Sequence, residues 1–101
     1  MPKAILFVQS APSSPDREAE YTEWYQGTHI PEVVALPGFV SGRLFRAENA
    51  PEGTPGYAAV YEIDSDDPSA TVGGIFGAAK EGKLNMSDSI APGAMITYTE
   101  L

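Results

Sequence analysis

The segment Lys3-Ala4-Ile5-Leu6-Phe7-Val8-Gln9-Ser10 constrains the fold more than any other part of the chain. It is short, apolar and rich in strand formers, and it ends at a Ser/Pro cluster, so it reads as a strand. Successive side chains of a strand point to opposite faces. Ile5 and Phe7 therefore point one way, and Ala4, Leu6 and Val8 the other. An antiparallel sheet that meets water on one side alternates apolar with polar residues, and this strand does not. Both of its faces need cover.

The rest of the chain shows what can supply that cover. Ser10 to Pro15 reads as a loop that ends in a helix start. Ser14 is a candidate cap, Pro15 suits the first helical position, and Asp16 and Glu18 favour the positive end of the helix dipole. The helix is expected from about Asp16 to Gln26, with Gly27 as its stop. A second short helical piece starts near Pro31, with Glu32 in its first turn, and stops at Pro37-Gly38. Phe39 to Ala47 is strand-like. The Pro/Gly-rich stretch Asn49–Gly56 is a loop, and Tyr57 to Ile63 is the next strand, so the two strands form an antiparallel hairpin. Asp67-Pro68 is another cap and first-turn pair. Val72, Ile75, Phe76 and Ala79 form one helical stripe. Gly73, Gly74 and Gly77 weaken that helix, and their expected use is close approach to the sheet. Gly82 ends it, Leu84 to Gly93 reads as loop, and Ala94 to Thr99 is the last strand.

The order β-α-β-β-α-β is the ferredoxin-like plan, a four-stranded antiparallel sheet with both helices on one face. At 101 residues the chain suits one α+β domain spanning residues 1–101. The helices then cover one face of the sheet. The other carries apolar residues from the first, third and last strands, and no element remains to bury it. Large exposed apolar patches are rare on monomers, so a second copy packing sheet to sheet is the expected cover. The alternative is a monomer whose Asn49–Gly56 loop folds over the sheet.

Charge and composition narrow the function. Lys plus Arg is 6 and Asp plus Glu is 14, a net charge of −8, which argues against nucleic acid and anionic membranes as partners. There is no cysteine, so disulfides, thiol catalysis and thiolate metal sites are excluded. The apolar runs are too short to span a bilayer and no signal peptide opens the chain, so a soluble cytoplasmic protein is expected. The acidic run Asp64-Ser65-Asp66-Asp67 lacks the glycine and final acid of a calcium loop and reads as a solvated cap cluster. One histidine offers too few ligands for a metal site, and no cofactor is expected.

His29 is that single histidine. It lies just before the short helix at Pro31, and a helix N-terminus disfavours imidazolium, so a neutral side chain able to act as a base is expected. Tyr25, four residues earlier, could share its face. The alternative is a His29 that merely caps the break between the two helical pieces. Tyr21, Trp24 and Tyr25 form an aromatic set at helical spacing, suited either to core or to a pocket for a flat apolar ligand. Tyr57, Tyr61 and Tyr98 are candidate pocket residues from the sheet, with interface packing as the alternative. With odd-numbered side chains on one face, Arg43 sits beside Phe39 and Phe45. There it could receive a carboxylate bidentately or pair with one of the chain's many acids.

The stretch from Glu20 to Arg43 carries Trp24-Tyr25, then His29-Ile30-Pro31, then Pro37-Gly38-Phe39. In these motifs the chain resembles the dimeric α+β-barrel superfamily and, more narrowly, the EthD-like proteins named for ethyl tert-butyl ether degradation. The resemblance implies a homodimer in which two ferredoxin-like sheets close into a barrel, with a ligand cleft in each subunit between sheet and helices. It also implies relatives of mixed activity, among them cofactor-free decarboxylases, cyclases, isomerases and monooxygenases. It speaks to fold far more than to reaction. Two expectations follow: a cofactor-free enzyme on a small aromatic or polyketide-like compound, with His29 as acid/base, or a non-catalytic binding or accessory protein of the same fold.

Overall fold

The computed structural model describes residues 3–101. Strand β1 (Lys3–Pro12) leads into a tight 3₁₀ turn (Pro15–Arg17) and helix α1 (Glu18–Trp24). A π turn (Tyr25–His29) joins α1 directly to α2 (Ile30–Val34). Strands β2 (Phe39–Arg46) and β3 (Tyr57–Asp64) follow, then helix α3 (Pro68–Lys80) and strand β4 (Ile90–Thr99). The sheet order is β2-β3-β1-β4 and every neighbouring pair is antiparallel. This is the ferredoxin-like α+β arrangement. Of the three strands read as apolar on both faces, the first and third (β1 and β3) hold the two central places and the last (β4) lies at an edge.

The core lies between the helices and one face of the sheet. Ala4, Leu6 and Ser10 of β1 and Tyr57, Ala59, Tyr61 and Ile63 of β3 are buried there. Tyr21, Tyr25 and Val33 come down from the helical run, and Val72 and Ile75 from α3. Asp67 caps α3 as expected, its carboxylate accepting from the Ala70 N–H at 3.2 Å.

Several local expectations are corrected. Gly27 does not stop the first helix, because the π turn absorbs it and the run continues to Val34. Ser14 precedes the helical turn but makes no side-chain cap, since its hydroxyl donates to Asp16 instead. Gly73, Gly74 and Gly77 do not approach the sheet, as a Cβ at any of them would meet nothing within 4 Å. The stripe on α3 is rotated: Val72 and Ile75 pack inward, Ala78 is buried, and Phe76 is 60% exposed. Strand β4 begins at Ile90, so the loop before it is shorter than its glycine and proline suggest. Strand β1 likewise runs through the Ser/Pro cluster to Pro12, pairing with Ile90.

The register of β2 slips between Phe39 and Ser41. An extra residue in one strand flips the alternation that follows it. Phe39 therefore points to the helices, whereas Arg43 and Phe45, opposite Val60 and Ala58, point to the other face. Arg43 does not share a face with Phe39. Among the described residues, nothing covers that other face. Phe45, Ile96 and Tyr98 stay exposed on it, and residues 47–54 of the long loop are themselves exposed rather than folded over it.

Gly38 makes the turn from α2 into β2. Its φ is +91°, and a Cβ there would lie 2.6 Å from the Thr71 Oγ1 atom. Its carbonyl also accepts the Asp64 N–H at 3.0 Å, tying the start of β2 to the end of β3. Gly38→Ala is expected to cost about 1–3 kcal/mol through backbone strain and the clash with Thr71. Urea denaturation of the variant checks this.

Candidate functional site

The helical run places its aromatic residues over the sheet. The Tyr21 and Tyr25 rings meet edge to face at 5.4 Å, and Tyr21 meets Tyr57 of β3 at 5.1 Å. Trp24 lies against Tyr25 at 5.3 Å. The π turn then brings His29 back onto both: stacked on Trp24 at 4.7 Å and edge-on to Tyr25 at 5.1 Å. Single π turns recur at functional sites because they re-aim one side chain without breaking the helix. Phe39 packs on Tyr61 at 6.0 Å. Tyr61 fits because its partner across the ladder is Gly42, where a Cβ would lie 2.7 Å from the ring.

Tyr21, Trp24, Tyr25, His29, Tyr57 and Tyr61 thus gather on the helix-facing side. Arg43 and Tyr98 do not join them. Tyr98 packs on Phe7 at 6.3 Å on the open face, and Arg43 lies 3.7 Å from Glu62 there.

Most polar tips in the cluster are paired. The Tyr21 hydroxyl shares a 2.6 Å hydrogen bond with Ser10. The Trp24 indole N–H donates to the Asn85 carbonyl at 2.7 Å. The Tyr57 hydroxyl donates to Glu18 and accepts from Arg46 at 3.4 Å. Among the described residues, two buried side-chain atoms have no partner, the His29 Nδ1 and the Tyr61 hydroxyl. Tyr25 lies between them in its interactions. Its ring touches His29, and its hydroxyl is near enough to influence Tyr61, although the Tyr61 oxygen completes no hydrogen bond. An orphaned buried polar group costs about 1–3 kcal/mol, comparable with what burying an aromatic ring contributes. The structure carries two such groups against one tyrosine.

His29 is not a cap. The helix does not restart at it, and its side chain makes no capping bond. The helix-terminus argument for a neutral imidazole therefore does not apply. Burial lowers its pKa instead, while the Glu32 carboxylate pulls the other way. Burial also raises Tyr25 and, further, Tyr61, and pushes Tyr21 up to about 12 against the opposing Ser10 bond. The site thus combines a neutral nitrogen base with tyrosines that keep their protons. Among the described residues, no three His, Cys, Asp or Glu side chains come together to hold a metal.

The positions of Ser10, Glu32 and Asn85 carry information that the motifs did not. Ser10 shares the face of Leu6, and that spacing marks it as inward-pointing. Asn85 sits in the loop before β4 and has no sequence signal. Two open cavities lie elsewhere. One of 510 Å³ at the end of the sheet is lined by Lys3, Ile5, Val40, Glu62, Tyr98 and Glu100. One of 240 Å³ lies between Thr22 and Gln26 on one side and Leu44, Arg46 and Tyr57 on the other. His29 lines neither.

A family model for a domain of unknown function, DUF4286, matches residues 5–71. The chain belongs to the DUF4286 family. This DUF4286 chain also superposes on solved structures. A candidate monooxygenase from Shewanella loihica matches with a TM-score of 0.62 at 16% identity, over 100% of this chain and 97% of that one. An ethyl tert-butyl ether degradation (EthD) family protein from Bacillus halodurans matches with a TM-score of 0.55 at 18% identity, over 100% of both chains. No curated protein matches the sequence. At such identities the likeness is one of fold, and it agrees with the EthD-like resemblance carried by Trp24-Tyr25, His29 and Pro37-Gly38-Phe39.

Two outcomes follow from the polar tips. Tyr21→Phe strands Ser10 and should cost about 1–2 kcal/mol, whereas Tyr61→Phe removes an orphan and should stabilise by about 1 kcal/mol. Chemical denaturation of both variants gives opposite signs if the assignment holds. For His29, the unfolded chain binds a proton near pH 6.5 and the folded chain resists it to lower pH. Between those two pKa values the unfolded state holds more protons, so stability rises with pH. His29 therefore costs nothing above about pH 7, and its contribution is lost progressively as pH falls toward the folded value. Denaturation midpoints from about pH 7 to 5 should show this slope, and His29→Gln should flatten it.

Proposed function

We propose that the protein is a small homodimeric α+β-barrel enzyme that needs no cofactor and acts on a small aromatic or polyketide-like carbonyl compound, with His29 as its acid/base. One observation carries the reading: the unpartnered His29 Nδ1 and Tyr61 hydroxyl, both buried against Tyr25. A carbonyl compound with an acidic C–H satisfies both. The His29 nitrogen takes the proton as the carbon–hydrogen electron pair moves toward the carbonyl oxygen. A tyrosine hydroxyl, from Tyr25 or Tyr61, donates a hydrogen bond to the resulting enolate oxygen. The imidazolium then returns the proton at another position, which is isomerisation, or to a new centre after ring closure. Proton transfer of this kind supplies about 10²–10⁴-fold in rate, enough for an activated substrate. Trp24, Tyr21 and Tyr57 offer the flat apolar walls such a compound needs.

A second copy is part of the proposal. The open face of the sheet exposes Val40, Phe45, Ile96 and Tyr98 beside the partly covered Ile5, Phe7 and Val60. Exposures of 41% for Ile96 and 50% for Tyr98 on the edge strand β4 leave apolar surface that suits sheet-to-sheet packing. On this reading Arg43 and Tyr98 belong to the interface or its rim rather than to the His29 cluster.

A non-catalytic carrier or accessory subunit is favoured by a different observation, since neither open cavity reaches His29. One set of measurements separates the readings. The protein should sediment as two chains at micromolar concentration, and Ile96→Asp should reduce it to one. His29→Ala should stay dimeric and lose turnover of small aromatic and β-dicarbonyl compounds by about 10²-fold or more. Full turnover in His29→Ala overturns the catalytic role. Ligand binding without turnover, insensitive to His29, points to the carrier.

A further inference from the structure

The segment between α3 and β4 is tied to the helical run beside the half-buried His29, and one residue of that segment makes the tie. Asn85 bonds to the helical run at three points. Its carbonyl accepts the Trp24 indole N–H at 2.7 Å. Its backbone N–H donates to one Glu32 carboxylate oxygen at 2.8 Å, and its side-chain amide donates to the other. Trp24 is the ring stacked on His29, and Glu32 is the carboxylate that acts on the imidazole. A single exposed residue therefore fixes both groups that bracket His29.

The rest of the segment is built as a strap. Leu84 is buried at one end and Ser89 at the other. Near Ser89, Arg17 grips the Asp88 side chain at 2.7 Å and its carbonyl at 3.2 Å, and the Ser13 N–H donates to the Ser89 carbonyl at 2.7 Å. Between these anchors Asn85 and Met86 lie at the surface, with Met86 58% exposed. What holds the middle is the Asn85 clasp rather than core packing. Exposed hydrogen bonds over few buried contacts mark segments that open locally at low cost.

We propose that Asn85 is the positioning residue of the His29 site, and that release of its clasp on Trp24 and Glu32 lets residues 85–87 swing aside between their anchors and widens the access of a flat apolar compound to the half-buried imidazole. This rests on the His29 reading for what enters. The clasp itself is tested without any substrate, so its failure and the failure of that reading stay distinct. Asn85 acts through its two partners and touches no reacting atom. The groups facing His29 are the Trp24 and Tyr25 rings and the Glu32 carboxylate.

The chain's one tryptophan and one histidine make the test direct. Two of the three clasp bonds use the backbone of residue 85, so the test variant is Asn85→Asp, which sets a second carboxylate against Glu32 and forces the segment off it. In Asn85→Asp, carbethoxylation of His29 by diethyl pyrocarbonate, read by mass spectrometry, should be about tenfold faster than in the parent. Trp24 emission should shift to longer wavelength and become more open to acrylamide. The His29 pKa followed by NMR should rise toward the ordinary value near 6.5, as water reaches the ring. In Glu32→Gln that pKa should move down instead, because the carboxylate that raises it is gone, and carbethoxylation should still quicken as the clasp on residue 32 weakens. A folded Asn85→Asp protein with unchanged His29 reactivity and Trp24 emission overturns the proposal. So does a rise in pKa in both variants, which would mean general loosening. Should Asn85→Asp not fold, Glu32→Gln alone decides by its reactivity.

Discussion

Burying a tyrosine places an apolar ring and a polar oxygen in the same space, and the interior of this protein is organised around that conflict. Tyr21, Tyr25, Tyr57 and Tyr61 are all buried between the helical run and the sheet. Each ring repays burial, and each hydroxyl then needs a partner. Tyr21 finds Ser10 and Tyr57 finds Glu18 and Arg46. Tyr61 finds none, and neither does the His29 nitrogen on the other side of Tyr25. Nothing in the packing forces this: Phe at 61 would keep the ring contacts without the unpaired oxygen. A cost accepted where a simpler residue would avoid it is the physical ground for reading this spot as the working part of the molecule.

The geometry that sets both groups against Tyr25 depends on two departures from regularity. The π turn at Tyr25–His29 carries the helix through Gly27 and re-aims the imidazole onto Trp24 and Tyr25. Gly42 lets the Tyr61 ring lie against the β2 backbone. A helix that stopped at Gly27, or any side chain at 42, would separate the partners. The strap before β4 adds a third device, because Asn85 holds the stacking ring and the nearest carboxylate together from outside.

Much of the fold was legible from residue order. The β-α-β-β-α-β order and its antiparallel sheet were readable, and Asp67-Pro68 announced the start of α3. Less legible were features set by packing rather than local propensity. Gly27 has the chemistry of a helix stop, yet contacts on either side of it hold the helix together. The glycines of α3 suggest close approach to the sheet, but that helix turns its Val72–Ile75 edge inward and leaves them in open space. The register slip at Val40 moved Arg43 away from Phe39, and alternation cannot show it because one extra residue leaves no compositional trace.

The candidate site divides in the same way. Sequence alone determined that His29 is the single imidazole, that it follows a Trp-Tyr pair at helical spacing, and that β1 and β3 offer apolar residues on two faces, because residue type and period are written along the chain. Only the tertiary structure decided that Tyr61 rather than Tyr98 stands with His29, that burial rather than a helix terminus keeps the imidazole neutral, and that Asn85 clasps the site. Those are contacts between residues far apart in the chain, and their existence depends on register, helix rotation and loop path. Local chemistry leaves all three undetermined.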